Sequence, residues 1–368
     1  MTPATLTESA TPVIEPADTP GKCRVTFLWE AGPAAERAVV LINTVTDRDR
    51  HAGDITGHVM TPLPGTDLLH LTYELDADLR ASYQILPCDT LPGTDRESWL
   101  KVMRAALPDP RNPRTVPNSP DRHPASLLEL PQAPPQPYRD PRPGVPRGRV
   151  TEERVSGRRV WVYAPPGHGT GPYPVVVLLD GEVWAGRIGP TLDNLIADGH
   201  LPPAVVLMPD SVDRPTRHRE LACHEPFVRF LAGELLPWAE REWQASADPG
   251  LTVIAGQSFG GLTASYAALV APERFGNVLS QSGSYWWSDD DPEWLTRRYA
   301  RAPRLPVRFH VEVGVLEWML LAQNRRFAET LAGQGYEVSL TEYNGGHDPA
   351  CWLGGLATGL TTLAAGWL

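Results

Sequence analysis

An α/β domain built on a mostly parallel sheet, preceded by a small antiparallel β-sandwich, is the architecture this sequence predicts. Two observations carry that expectation. After Arg147 apolar runs alternate with helical patterns, and one run, Leu251-Thr252-Val253-Ile254-Ala255, leads straight into Gly256-Gln257-Ser258-Phe259-Gly260 and a small-residue helix. Between Cys23 and Pro87 the apolar period is two instead, the signature of half-buried strands.

In order along the chain, residues 1–20 are rich in Thr, Pro, Ala and Glu, which predicts a disordered tail. A sandwich is expected over 21–107. Val25, Phe27 and Trp29 alternate with polar residues, as do Leu69, Leu71, Tyr73 and Leu75, and Pro64-Gly65-Thr66-Asp67 supplies a turn before the latter run. No catalytic constellation is visible there. From 108 to 147 prolines crowd the chain, predicting a stiff, extended connector with no central strand, pinned to a domain surface by Leu127, Leu128 and Leu130. The remainder, 148–368, reads as the catalytic domain. Strands are expected at 160–164, 175–179, 205–208, 251–255, 278–280, 309–313 and 338–343, with helical patterns between and after them. That is an α/β-hydrolase-like arrangement.

Composition narrows the partners. The 368 residues carry a formal charge of −11 and no basic run, which argues against nucleic acid or an anionic membrane. Lysine occurs only at Lys22 and Lys101, so nearly all positive charge is Arg. Cys23, Cys88, Cys223 and Cys351 are scattered, without CxxC or zinc spacing, as expected of reduced thiols in a cytoplasmic enzyme that needs no metal of its own. Residues 1–20 lack the charged start and apolar stretch of a signal peptide, and no later segment approaches a transmembrane length. The cytoplasm is the expected location.

The G-x-S-x-G segment is a nucleophile elbow. A Ser at a sharp strand-to-helix turn adopts a strained backbone, and Gly256 and Gly260 leave room for the turn to close. Ser258 is thereby lifted clear of the sheet, and the Phe259 N–H points to where an oxyanion would form. Such a Ser needs a base, usually a neutral His. Among the ten histidines, His347 in Asn344-Gly345-Gly346-His347-Asp348 is best placed, after the last strand and before the last helix. The acid should lie in the loop after the preceding strand, which makes Glu317 the leading candidate. Glu312 on the strand and Asp348 beside the base are the other carboxylates in range, and a Ser258–His347 dyad without an acid stays open. A second oxyanion donor is expected at Gly181 or Glu182, in the turn Asp180-Gly181-Glu182-Val183-Trp184 after an apolar strand.

These residues closely resemble the enterochelin (enterobactin) esterases, cytoplasmic hydrolases of catecholate siderophores. The resemblance covers nearly the whole chain after the tail. It rests on Asp109-Pro110-Arg111-Asn112-Pro113, Leu127-Leu128-Glu129-Leu130-Pro131, Leu178 to Trp184, Gly256 to Gly261, Ser280-Gln281-Ser282-Gly283-Ser284-Tyr285-Trp286-Trp287, and Gly345-Gly346-His347-Asp348 trailed by Cys351-Trp352. It implies an N-terminal immunoglobulin-like sandwich joined to a hydrolase domain, with Ser258 and His347 in catalytic roles. It also implies cleavage of the serine-ester bonds of a catecholate trilactone, with iron present only as part of the substrate. Where that family often has Pro after the acid-like Glu, this chain has Trp318.

A ferric tris-catecholate carries about three negative charges and broad aromatic faces, so its receptor wants Arg and large aromatics near the nucleophile. Trp184, Arg217, Tyr285, Trp286, Trp287, Trp318 and Trp352 are the candidates for that surface. Two alternatives remain: an esterase for feruloyl-type or other aromatic acyl esters, and a siderophore-binding protein without catalysis. The intact Ser258, His347 and Gly181 argue against the second.

Overall fold

The computed structural model describes residues 10–30, 37–118, 121–169, 171–288 and 290–367. They fall into two compact units. One takes in the chain up to Pro135 together with Gly314–Trp318 and Asn344–Cys351; the other takes in Gln136–Val313, Met319–Tyr343 and Trp352–Leu368.

In the first unit the described strands are β1 (Val13–Pro16), β2 (Lys22–Glu30), β3 (Arg37–Ile42), β4 (Thr61–Pro62), β5 (Leu68–Asp76), β6 (Arg80–Cys88), β7 (Thr115–Val116) and β8 (Ala125–Glu129). They make two antiparallel sheets, ordered β1-β2-β5-β4 and β3-β6-β8-β7. The period-two pattern explains them. Along β5, Leu71, Tyr73 and Leu75 turn inward while Thr72, Glu74 and Asp76 face out. Val25, Phe27 and Leu69 of one sheet share a core with Val40, Tyr83, Ile85 and Leu128 of the other. Phe27 meets Tyr83 edge-on, with ring centroids 4.8 Å apart.

Two expectations need correction here. The presumed tail is not wholly a tail: β1 pairs with β2 from Val13↔Thr26 to Pro16↔Cys23, and Val13 packs with Leu28, Leu63 and Leu68. Residues 1–9 lie outside the described residues. The proline-rich stretch is not only a connector either, because β8 sits between β6 and β7 as an inner strand. The reason is local composition. Residues 125–130 contain no proline, so every N–H can join a ladder, and Leu127, Leu128 and Leu130 are buried. Asp109, likewise in that stretch, is buried and accepts hydrogen bonds from Thr11 Oγ1 (2.5 Å) and the Tyr83 hydroxyl (2.7 Å).

The second unit holds β9 (Arg149–Val155), β10 (Arg158–Ala164), β11 (Val175–Leu178), β12 (Val205–Pro209), β13 (Thr252–Gln257), β14 (Asn277–Gln281), β15 (Arg308–Gly314) and β16 (Glu337–Tyr343). Their order is β16-β15-β14-β13-β11-β12-β10-β9. Strands β12, β11, β13, β14 and β15 run parallel, and β10 and β9 are antiparallel at one edge. This is the predicted α/β domain. Its inner strands are apolar throughout because both faces are covered. Ile254 joins Leu262, Phe275 and Phe309 on one side, whereas Val253 and Ala255 join Leu192, Leu195 and Leu360 on the other. Parallel strands place their carboxyl ends at one edge, where ligands of open α/β sheets bind. The turns after β11, β13, β14 and β15 all leave from that edge. Among the described residues no helix is long and apolar enough to cross a membrane.

Candidate active site

At the end of β13, Ser258 has φ 59° and ψ −122° and begins the helix Phe259–Val270. A non-glycine residue held there costs about 1–3 kcal/mol and persists only where its surroundings impose it. The surroundings are visible. Ser258 N–H donates to the Gln281 carbonyl (3.0 Å), and the Ser258 carbonyl accepts from Leu262 N–H (3.1 Å) and Ser284 N–H (3.0 Å). A Cβ on Gly256 would sit 2.5 Å from the Gly260 carbonyl carbon, and one on Gly261 would sit 2.6 Å from Ser280 Oγ. Only glycine allows so close a turn. Ser284 Oγ lies 3.3 Å from Ser258 Oγ. Phe259 is the first helical residue, so its N–H has no acceptor within the helix.

The segment after β14 supports this elbow. Buried Asn324 brackets Gly283, accepting its N–H (3.1 Å) and donating to its carbonyl (2.9 Å). Tyr285 is fully buried, stacked on Phe327 at 3.9 Å, with its hydroxyl 2.7 Å from both Ser265 Oγ and Ser280 Oγ. Burial pushes its phenol above the ordinary value. Tyr285 is thus a core residue and no substrate contact. Trp184 needs the same correction: it is 1% exposed, and its indole N–H is taken by Gln257 Oε1 at 2.9 Å. Half-buried Trp352 donates its indole N–H to Ser282 Oγ (2.9 Å), and Trp287 packs edge-on against Trp294. Trp286 stands beside the elbow, edge-on to Phe259 at 5.7 Å, and His218 contacts the same ring at 5.3 Å.

The turn after β11 carries the other candidate donors. Asp180 adopts a left-handed conformation (φ 58°, ψ 51°), and Gly181 opens the short helix Gly181–Trp184. A Cβ on Gly181 would overlap the Met208 carbonyl oxygen of β12. Glycine is therefore dictated there by packing. Arg217, expected to face substrate, is instead engaged by Asp180 through Nε–Oδ1 (2.6 Å) and Nη2–Oδ2 (2.7 Å). Burial works against the guanidinium charge, but the Asp180 carboxylate outweighs it and holds the group above its ordinary value. Glu182 is committed as well, accepting from the Ser211 N–H (3.1 Å) and hydroxyl. Arg187, five residues after Glu182, is half-buried, and burial alone lowers its pKa. Among the described residues it has no acid or acceptor for its side chain. Sequence reading passed over it because nothing along the chain distinguishes an unpaired arginine from a paired one.

Three residues past the end of β15, Glu317 is buried, and its Oε2 lies 2.7 Å from His347 Nδ1. Its Oε1 accepts the Gly314 N–H at 2.9 Å, which fixes the carboxylate plane. A carboxylate can only accept, so Nδ1 carries the proton and Nε2 is the basic nitrogen. The imidazole is 37% exposed. The two rival acids are engaged elsewhere. Glu312 points toward the last helix, where a Cβ on Gly355 would overlap its carboxylate. Asp348 is fully buried and accepts from Ser82 N–H (2.5 Å) and Ala350 N–H (2.9 Å), burial pushing its carboxyl up. Trp318, beside Glu317, is 40% exposed and touches His51 edge-on. Asn43 and Thr44, in the region where no constellation was visible, hold the His347 backbone: Thr44 Oγ1 accepts its N–H (3.0 Å), and Asn43 Nδ2 donates to its carbonyl (3.3 Å).

The chain is similar to known esterases. Residues 154–363 match the family described as "Putative esterase", and residues 24–139 match "Enterochelin esterase, N-terminal". The chain is 36% identical to the iron(III) enterobactin esterase of Escherichia coli O6:H1 (strain CFT073), over 92% of this chain and 90% of that one. It is 35% identical to the iron(III) enterobactin esterase of Escherichia coli (strain K12), over the same shares. A crystal structure of the Shigella flexneri enterobactin esterase, determined in the presence of enterobactin, superposes with a TM-score of 0.87 at 33% identity, covering 100% of this chain and 99% of that one.

Proposed function

Because the chain belongs to the enterobactin esterase family, we propose that it is a serine esterase cleaving the ester bonds of an enterobactin-type catecholate siderophore, taken in its ferric form, so that iron is released. Ser258 Oγ attacks the carbonyl of one backbone ester while His347 Nε2 takes its proton. The oxyanion is met by the Phe259 N–H and an N–H of Gly181 or Glu182, each such donor contributing about a hundred- to thousandfold in rate. Collapse breaks the bond to the seryl oxygen of the neighbouring unit, which takes the imidazolium proton of His347 and leaves as a hydroxyl, and water then hydrolyses the acyl-enzyme by the same route in reverse. Glu317 stabilises the imidazolium in both halves. Iron enters only as cargo of the substrate, and no cofactor takes part.

The observation that carries this reading is the 2.7 Å Glu317–His347 hydrogen bond, which fixes the tautomer a general base needs. Half-buried Trp286 beside the elbow and exposed Trp318 are the aromatic surfaces we assign to catechol faces once Tyr285 and Trp184 are assigned to the core. Arg187 is the cation we assign to the anionic substrate, since a half-buried guanidinium without an acid is satisfied by a ligand's charge. The four free thiols support a reducing, cytoplasmic setting. Two four-stranded sheets sharing one core support an immunoglobulin-like reading of the N-terminal unit.

The test is to incubate the protein with ferric enterobactin, iron-free enterobactin and methyl ferulate and to separate the products. Linear trimer, dimer and monomer should appear, with the ferric form giving the highest kcat/KM and Ser258→Ala abolishing turnover. A preference for ferulate, or wild-type turnover by Ser258→Ala, would overturn the reading.

A further inference from the structure

His347 is gripped at three points, and only one of them belongs to the proposed triad. Its ring is held by Glu317. Its backbone is held by two consecutive side chains that follow β3: Thr44 Oγ1 accepts the N–H at 3.0 Å, and Asn43 Nδ2 donates to the carbonyl at 3.3 Å. The pair is itself oriented. The Thr44 hydroxyl donates to Asn43 Oδ1 at 2.7 Å, which leaves its lone pair for the His347 N–H. Asn43 N–H is in turn tied to the Ser82 carbonyl at 2.9 Å on β6.

The local backbone is unusual on both sides of this contact. Thr44 has φ 68°, strained for a β-branched residue, and it is 4% exposed. Opposite it, a Cβ on Gly346 would overlap Thr44 Oγ1 and Cβ. Gly346, just before the histidine, therefore makes space for the threonine hydroxyl. Asp348, the next residue on, binds the Ser82 N–H, so the segment 346–348 is fastened on both sides of the imidazole.

We infer that Thr44 and Asn43 are positioning residues that set where the His347 imidazole stands. The N-terminal sandwich unit accordingly builds the seat of the general base. This inference rests on the reading of His347 as that base. A misplacement of about 1 Å at such a residue costs on the order of a hundredfold in rate. Loss of the Thr44 acceptor should therefore act on kcat and leave substrate affinity alone.

The experiment compares the full-length wild-type enzyme with Thr44→Val, Thr44→Ser and His347→Ala, and with Thr44→Val combined with His347→Ala. Enterobactin hydrolysis is followed for kcat and KM, alongside thermal unfolding. Thr44→Val should lower kcat by about 10- to 100-fold with KM within twofold. Thr44→Ser, which keeps the acceptor, should restore most of the rate. Adding Thr44→Val to His347→Ala should cost nothing further.

Wild-type kcat in Thr44→Val, or a fall in kcat that Thr44→Ser does not reverse, would overturn the positioning role. So would an undiminished Thr44→Val effect in the His347→Ala background. Wild-type turnover by His347→Ala itself would instead overturn the assignment of the base, a different failure read from a different variant.

Discussion

Arg217 clasps Asp180 through two hydrogen bonds of nearly equal length, 2.6 and 2.7 Å, and Asp180 is the residue whose left-handed backbone delivers the Gly181 turn. The arginine thus shapes the edge of the sheet where an oxyanion donor is wanted. Lysine cannot reproduce a planar two-point contact. Arg217→Lys should lower kcat about 10-fold, part of what one oxyanion donor contributes. KM should stay within twofold, as steady-state kinetics with enterobactin will show.

The Glu317–His347 bond predicts a graded loss. Glu317→Gln keeps the shape but offers an amide where a carboxylate stabilised the imidazolium, and it permits the wrong tautomer. Removing an acid of this kind by amide substitution has cost about 10⁴-fold in a comparable triad. We expect 10²- to 10⁴-fold in kcat here, roughly on that scale, with fluorophosphonate labelling of Ser258 slowed in parallel. Labelling at the wild-type rate would remove Glu317 from the mechanism.

Arg187 should behave as a ligand-binding cation with no structural task. Arg187→Met leaves no partner stranded among the described residues, so the melting temperature should hold. KM for the ferric, anionic substrate should rise about 10-fold, the loss of one charge-assisted contact. An uncharged ester should be processed as before, and raising the salt concentration should narrow the gap between variant and wild type.

Tyr285 predicts the reverse. Its hydroxyl is buried between Ser265 and Ser280, so Tyr285→Phe strips two serine side chains of a partner at once. Destabilisation of about 1–3 kcal/mol is expected in chemical denaturation. KM should not move, because the ring never meets substrate.

These contrasts also mark how far the sequence can be read. The inner strands and the elbow were legible because they are local: an apolar run, then glycines spaced for a turn. The contact of Glu317 with His347 was legible from chain order alone, since the two follow consecutive strands of the sheet. The aromatic surface was read less well. A loop sequence reveals that Tyr285 and Trp184 are large, but their direction is set by Phe327 and Gln257, far along the chain. Arg217 looked like a free cation because its acid lies 37 residues earlier. The Thr44 contact was out of reach for the same reason, with 303 residues between hydroxyl and amide. β1 and β8 escaped because each is short and flanked by proline, so composition spoke for the flanks and not for the strand.

The first unit cannot be cut out of this chain as one continuous piece. Its body ends at Pro135, yet Gly314–Trp318 and Asn344–Cys351 belong to it as much as β1 or β8 does. A cut at the proline-rich stretch would therefore part the sandwich from the two later segments that complete it, the ones that carry Glu317 and His347.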